Sequence, residues 1–323
     1  MTQVRMIKVT EAHDGQRLDR WLKRELGRVP QSLIFKIIRT GQVRVDGKRA
    51  KADQRVSEGQ EVRVPPVKAE SKEKKGLSQK DREFIKSLVI YDDGDVIALN
   101  KPGNIATQGG TNTYRHIDGL LEGLKNKKGV MPRLVHRLDK ETSGVLILAR
   151  SAAAVRELGF MFKGKDVEKQ YCAMVSPTPE VYEGTIDAPL LKAGGKMREN
   201  IQVHEDGQKA ITDYQVIDNA GKKAALLIFR PQTGRTHQIR VHASQVLEAP
   251  IVGDRKYGFD PDGFEGQLGT KRTHLHAFSL SFRHPTTKKH VEIKAPLPLD
   301  LKKSWKSFGF NEKLTPVIFE PLK

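Results

Sequence analysis

Apolar residues follow two different spacings along the chain. From Gly15 to Leu26 they recur at helical intervals, as Leu18, Trp21, Leu22 and Leu26, with Arg17, Arg20, Lys23 and Arg24 between them. That spacing predicts a short basic amphipathic helix. Pro30 interrupts it, and SLIFKIIRTG predicts a second helix, with Ser32 as cap, Leu33, Ile34, Ile37 and Ile38 on its apolar side, and Gly41 as its stop. In QVRVDGKRAK the period drops to two: Val43 and Val45 alternate with basic residues, and Asp46-Gly47 supplies the positive-φ pair of a tight hairpin. EVRVP predicts a further strand.

Residues 66–82, PVKAESKEKKGLSQKDR, are charged and almost free of bulky apolar side chains, as in a linker. From about Phe84 onward the runs DVIALN, GVLILA, YCAMV and AALLIF read as buried strands, separated by Gly and Pro turns and fewer helices. This pattern predicts an α+β fold: a small domain over 1–65, a linker over 66–82, and a larger domain over 83–323 built on a mixed, mainly antiparallel sheet.

Charge then narrows the choice of partner. The 323 residues hold 57 Lys and Arg against 39 Asp and Glu, a net +18, which favours a polyanion, nucleic acid first. No amphipathic anchor or spanning stretch suggests a membrane. One cysteine, Cys172, leaves no disulfide or thiolate zinc site, consistent with the cytoplasm, and neither HExxH, GxGxxG nor GxxxxGK[ST] occurs. No metal or cofactor is therefore expected.

The candidate chemistry lies in RLVHRLDKETSGVLILAR, where Asp139 stands among cations at the mouth of a core strand. Alone, such an acid reads first as a cap on a Thr-Ser-Gly turn, with a carboxylate aimed at an electrophilic carbon as the alternative. FRPQTGRTHQIRVHASQ then concentrates Arg235, His237, Gln238, Arg240 and His242 just after AALLIF, more polar side chains than a core strand holds without partners. KQYCAMV places Tyr171 before another strand, and Lys101 sits in LNKPGNIATQGG, either touching phosphate or exposed at a Pro-Gly turn. His136, flanked by Val135 and Arg137, reads as a structural group, and His237, Gln238 and Arg240 as braces of the site.

Gln16 to Pro65 resembles an S4 domain, an RNA-binding module, and the segments NKPG, HRLDKETSGVLILA, KQY, PQTGRTHQIRVH and APIVGDRKYG, in that order, resemble the pseudouridine synthase family in its HRLD-motif, ribosomal large-subunit branch. The amino-terminal stretch is similar to that of the C-type large-subunit members. The resemblance implies isomerisation of uridines in 23S ribosomal RNA, free or in an assembling large subunit, without cofactor. It implies Asp139 acting at C1′ of a flipped-out uridine, Tyr171 stacking on the base and taking part in proton transfer, and Arg235 pairing with the carboxylate. Arg137 is implied to enter the stack the uridine has left. Arg17, Arg20, Arg39 and Arg44 are the RNA-binding candidates of the small domain.

Two other classes fit these residues less well. A binding protein with a silent large domain would not need Asp139. A glycosidase would need a second carboxylate flanking the bond, and only Glu141 is near. The chain is expected to be a monomer. The loop FDPDGFEGQLGTKR and the carboxy-terminal KSWKSFGFNEKLTPVIFEPLK carry no readable role.

Overall fold

The computed structural model describes residues 3–27, 29–67, 76–110, 113, 115–164, 166–193 and 200–319. Contacts divide the chain into two compact units, Met1–Gly76 and Leu77–Lys323.

In the first unit, strand β1 (Arg5–Lys8) precedes helices α1 (Leu18–Glu25) and α2 (Gln31–Arg39), and β2 (Arg44–Val45), β3 (Lys48–Arg49) and β4 (Glu61–Val64) complete a sheet in the order β1-β4-β2-β3. Leu18, Trp21 and Leu22 of α1 and Ile34, Ile37 and Ile38 of α2 are buried in one core with Val43, Val45 and Val62, which is why both helices carry their cations outward. Asp46 (φ 47°) and Gly47 (φ 74°) make the expected hairpin turn. Helix α2 begins one residue before Ser32, with Pro30 at its N-cap and no side-chain cap.

The charged segment at 66–82 is helical at its end. Its centre, 68–75, lies outside the described residues, and its end starts helix α3 (Gln79–Ser87), where the Ser78 hydroxyl accepts from the Asp81 amide. Ile85 of α3 is fully buried, so burial of one helix face overrides the polar composition.

The second unit continues through β5 (Val89–Asp92), β6 (Val96–Lys101), α4 (Ile117–Leu120), β7 (Arg133–Leu134), β8 (Ser143–Ala149), α5 (Ala152–Lys163) and β9 (Val167–Val175). Then come β10 (Glu183–Asp187), β11 (Leu190–Lys192), β12 (Ile201–Val203), β13 (Ile211–Ala220), β14 (Ala224–Pro231), α6 (Gln238–Gln245), β15 (Leu275–Arg283), β16 (His290–Lys294) and α7 (Leu299–Ser307). The main sheet runs β10-β13-β14-β9-β15-β8-β6-β5, with β16 beside β15 and β7 beside β8. Only β15 and β8 pair in parallel among its described neighbours, so the sheet is mixed and mainly antiparallel, as expected.

Registry across five neighbouring strands puts Phe229, Tyr171, Ala277, Gly144 and Lys101 in one row. The parallel step in that row depends on glycine. Gly144 has φ 116°, and a Cβ there would lie 2.1 Å from the Ala277 carbonyl oxygen.

The two uninterpreted segments are core. Phe259, Phe264 and Leu268 of the loop join Trp305, Phe308 and Phe310 in one apolar cluster on the sheet. The tail follows: the Gln170 side chain donates to the Val317 carbonyl at 2.7 Å and accepts from its amide at 2.9 Å, and Arg230 lies over the Phe319 ring. Among the described residues no helix is long and apolar enough to cross a membrane.

Candidate active site

Asp139 sits in the loop between β7 and β8, and the loop is pinned on both sides of it. On one side Thr107 Oγ1 donates to the Leu138 carbonyl at 2.6 Å and accepts from the Leu138 amide at 3.1 Å. On the other, Arg272 donates to the Glu141 carbonyl and Ser143 Oγ while holding Asp300 of α7 through two nitrogens. A third tie is Lys101. Its side chain is fully buried, and Nζ donates to the carbonyls of Pro102, Ile105 and Lys140. Burial, with Arg272 adding repulsion, pushes that ammonium down to about 7. Lys101 is thus neither an exposed turn residue nor a phosphate contact, because its side chain is buried and its three donors are already spent on carbonyls.

His136 is structural, as read from the sequence. Its ring stacks on Phe162 at 4.1 Å, its Nε2 accepts from the Ile147 amide, and burial lowers it to about 3.

The cations expected around Asp139 come from the turn after β14 and from α6. Gln238 builds that turn: its side-chain oxygen accepts from Thr233 Oγ1 and the Arg235 amide, and its nitrogen donates to the Ile211 carbonyl and Thr212 Oγ1. His237 then adopts φ 56° at the start of α6, an uncommon conformation for a non-glycine residue that aims its ring at Asp139. His237 Nε2 and Arg240 Nη1 each lie 3.8 Å from Asp139 Oδ2.

Arg240, not Arg235, is therefore the arginine that meets the carboxylate. Arg235 is exposed, and its Nε donates to the Lys209 carbonyl at 3.0 Å, although it does line the same cavity. Sequence spacing could not separate two arginines five residues apart. The helix does, by turning Arg240 inward to a buried carboxylate, Asp254, which it grips at 2.6 and 2.7 Å. Burial opposes the charge of Arg240, but the Asp254 bonds outweigh it and hold the guanidinium more firmly protonated than usual. Tyr257 completes the group, with its ring 4.9 Å from Arg240 and its hydroxyl 2.6 Å from His237 Nδ1.

His237, Gln238 and Arg240 line a cavity of about 240 Å³ that has Asp139 as its single acid and Tyr171 in the wall, while Asp254 and Tyr257 support them from behind. Burial, with the nearby charge of Asp139, pushes the Tyr171 phenol well above its ordinary range, so the ring stays protonated at neutral pH. Arg137 is exposed and also lines the cavity. Such a space suits a planar base taken out of a stack. In the first unit Arg20, Arg39 and Arg44 are exposed, whereas Arg17 is committed to Asp19 through Nε and Nη2 at 3.1 and 2.9 Å.

Residues 95–245 match the model of a family described as RNA pseudouridylate synthase, and 16–62 match the S4 domain. The "Ribosomal large subunit pseudouridine synthase C" of Vibrio cholerae is 35% identical over 308 residues, covering 94% of this chain and 96% of that protein. The chain belongs to the RNA pseudouridylate synthase family. The protein of the same name from Escherichia coli K12 is 36% identical over 308 residues, with 93% and 95% covered. Two human structures have the same fold. RNA pseudouridylate synthase domain containing 4 superposes with TM-score 0.62 at 26% identity, covering 72% of this chain and 98% of that one. Domain containing 1 gives 0.53 at 28%, covering 65% and 83%. The chain is thus an RNA pseudouridine synthase with an S4 module, and the expected α+β architecture holds. Asp254, Tyr257, Arg272 and Lys169 are the cavity and support residues that the sequence did not single out.

Proposed function

We propose that the chain isomerises specific uridines of 23S ribosomal RNA, free or within an assembling large subunit, with Asp139 acting at C1′ of a flipped-out uridine. The observation that carries this reading is the lone carboxylate in the cavity, flanked at 3.8 Å by His237 and Arg240. Hydrolysis of a glycosidic bond ordinarily uses two facing carboxylates. Here Glu141 does not line the cavity.

In the reaction the N1–C1′ bond breaks with its electron pair passing to uracil, the base turns, C5 bonds to C1′, and the C5 proton leaves while N1 gains one. Asp139 supplies the charge that meets C1′, and Tyr171 offers an aromatic face that keeps the base from escaping, worth roughly 1–3 kcal/mol. Arg137, planar and exposed, takes the vacated place in the stack. Arg20, Arg39 and Arg44 supply phosphate contacts from the S4 module, and Arg17 contributes less because Asp19 occupies it. The protein acts as a monomer in the cytoplasm.

The test is to incubate the purified protein with 23S ribosomal RNA, 16S ribosomal RNA and transfer RNA transcripts and to map pseudouridine chemically. Discrete sites in 23S RNA alone support the proposal. Modification confined to transfer RNA or to 16S RNA contradicts its substrate.

A further inference from the structure

Two lysines of the second unit lie below its surface, one wholly buried and one half-buried, and they are not alike. Lys101 satisfies its ammonium on three carbonyls. Lys169 is half-buried in the cavity wall, yet its ammonium makes no hydrogen bond or ion pair with any described residue. Burial lowers its proton affinity with no compensating acid among the described residues, and its charge is felt by His136. A cation partly withdrawn from water, with no partner among the described residues, is held at a cost, so its partner is to be sought in the ligand that fills the cavity.

Position selects which part of the ligand. Lys169 stands two residues before Tyr171 on β9, and side chains two apart on a strand share a face. Both line the cavity. The other lining cations are accounted for: Arg240 is held by Asp254 and faces Asp139, while Arg137 and Arg235 are exposed. Phosphates stay with the strand outside, and the base enters toward Tyr171. During isomerisation that base carries the electron pair of the broken N1–C1′ bond, with the charge spread over O2 and O4.

We propose that Lys169 stabilises the negative charge on the detached uracil between cleavage at N1 and rejoining at C5. This rests on the uridine-isomerase reading given above. Lys169 neither gives nor takes a proton in this role. When C5 attacks C1′ the electron pair returns to the new C–C bond, the C5 proton departs to solvent or a base, and N1 is protonated. The lysine is needed only while the base is anionic, which is where a fixed charge accelerates a reaction.

The experiment compares wild type with Lys169→Met in single-turnover reactions on RNA carrying tritium at C5 of uridine, and on the same RNA with 5-fluorouridine, followed by mass spectrometry of the nucleosides. Fluorine withdraws charge from the departing base and reduces its need for a cation. The expected result is a rate about 100-fold lower on uridine, a gap at least fivefold smaller on 5-fluorouridine, RNA affinity within twofold of wild type, and a melting temperature equal to or above wild type. Lys169→Arg, which keeps the charge, is expected to be faster than Lys169→Met. Weakened RNA binding with an unchanged rate would assign Lys169 to a phosphate instead. Equal losses on both bases, an unchanged rate, or a variant that fails to fold would each overturn the proposal. A wild type that forms no pseudouridine in any RNA would instead overturn the isomerase reading itself.

Discussion

Arg240 bridges two carboxylates: Nε and Nη2 grip Asp254 at 2.6 and 2.7 Å, and Nη1 reaches to 3.8 Å from Asp139. One guanidinium can do this because its nitrogens form a rigid planar fork, which an ammonium cannot copy. Arg240→Lys is accordingly expected to lower the single-turnover rate about 100-fold, the scale of an ångström's misplacement at a reacting centre, with RNA affinity little changed. Arg235→Lys, at an exposed position, is expected to leave the rate within about threefold. Reversal of that order would return Arg235 to the carboxylate.

Tyr171 contributes a ring and a phenol that stays protonated at neutral pH. Replacing it by Phe keeps the ring and removes only the hydroxyl; replacing it by Leu removes both. Tyr171→Leu is expected to bind substrate RNA roughly 5- to 150-fold more weakly, the equivalent of one lost stack. Tyr171→Phe is expected to bind like wild type and to be slower only in the proton-transfer step, seen as a larger isotope effect with C5-deuterated uridine.

Gly144 holds the parallel contact between β8 and β15 that sets the distance from the Asp139 loop to the Tyr171 strand. A methyl group at 2.1 Å from a backbone oxygen cannot be accommodated without separating the strands. Gly144→Ala is expected to destabilise by more than about 3 kcal/mol, measured as a shift in the urea midpoint, with much of the protein insoluble.

Two histidines behind the site are built to be neutral. His276 faces the Ala295 carbonyl through Nε2 and Ser143 Oγ through Nδ1; His274 faces the Val252 and Arg272 carbonyls through Nδ1 and Ser304 Oγ through Nε2. Burial lowers each to about 4, against 6.5 for a free imidazole. The unfolded chain therefore binds more protons than the folded one between those values. Their contribution is complete above pH 6.5 and is lost as pH falls to about 4, at roughly 3 kcal/mol each. Denaturant titrations at pH 7.5, 5.5 and 4.5 are expected to show stability falling steadily, and His276→Gln is expected to flatten part of that slope.

The elements legible in the sequence were those fixed by local spacing. The apolar stripe of Leu18, Trp21 and Leu22, the Asp46-Gly47 turn and the runs that became β6, β8, β9 and β14 need only their own residues to be read. The position of Asp139 was legible because HRLDKETSG names it. What stayed hidden depends on contacts distant in the chain. Arg240 acquires its role from Asp254 and Asp139, on separate loops, and Lys101 is held by two carbonyls of its own turn together with that of Lys140 from the Asp139 loop. The tail at 311–319, polar enough to resemble a loose end, is fixed by Gln170 and Arg230 from the sheet.

In the proposed reaction one carboxylate, Asp139, acts at C1′. The most direct measurement is release of tritium from C5-labelled uridine in 23S ribosomal RNA by the wild type and by Asp139→Asn, which keeps the shape and removes the charge. Release by the wild type with none detectable from Asp139→Asn, at equal RNA affinity, is the expected result. Release by Asp139→Asn at a rate near wild type would contradict it.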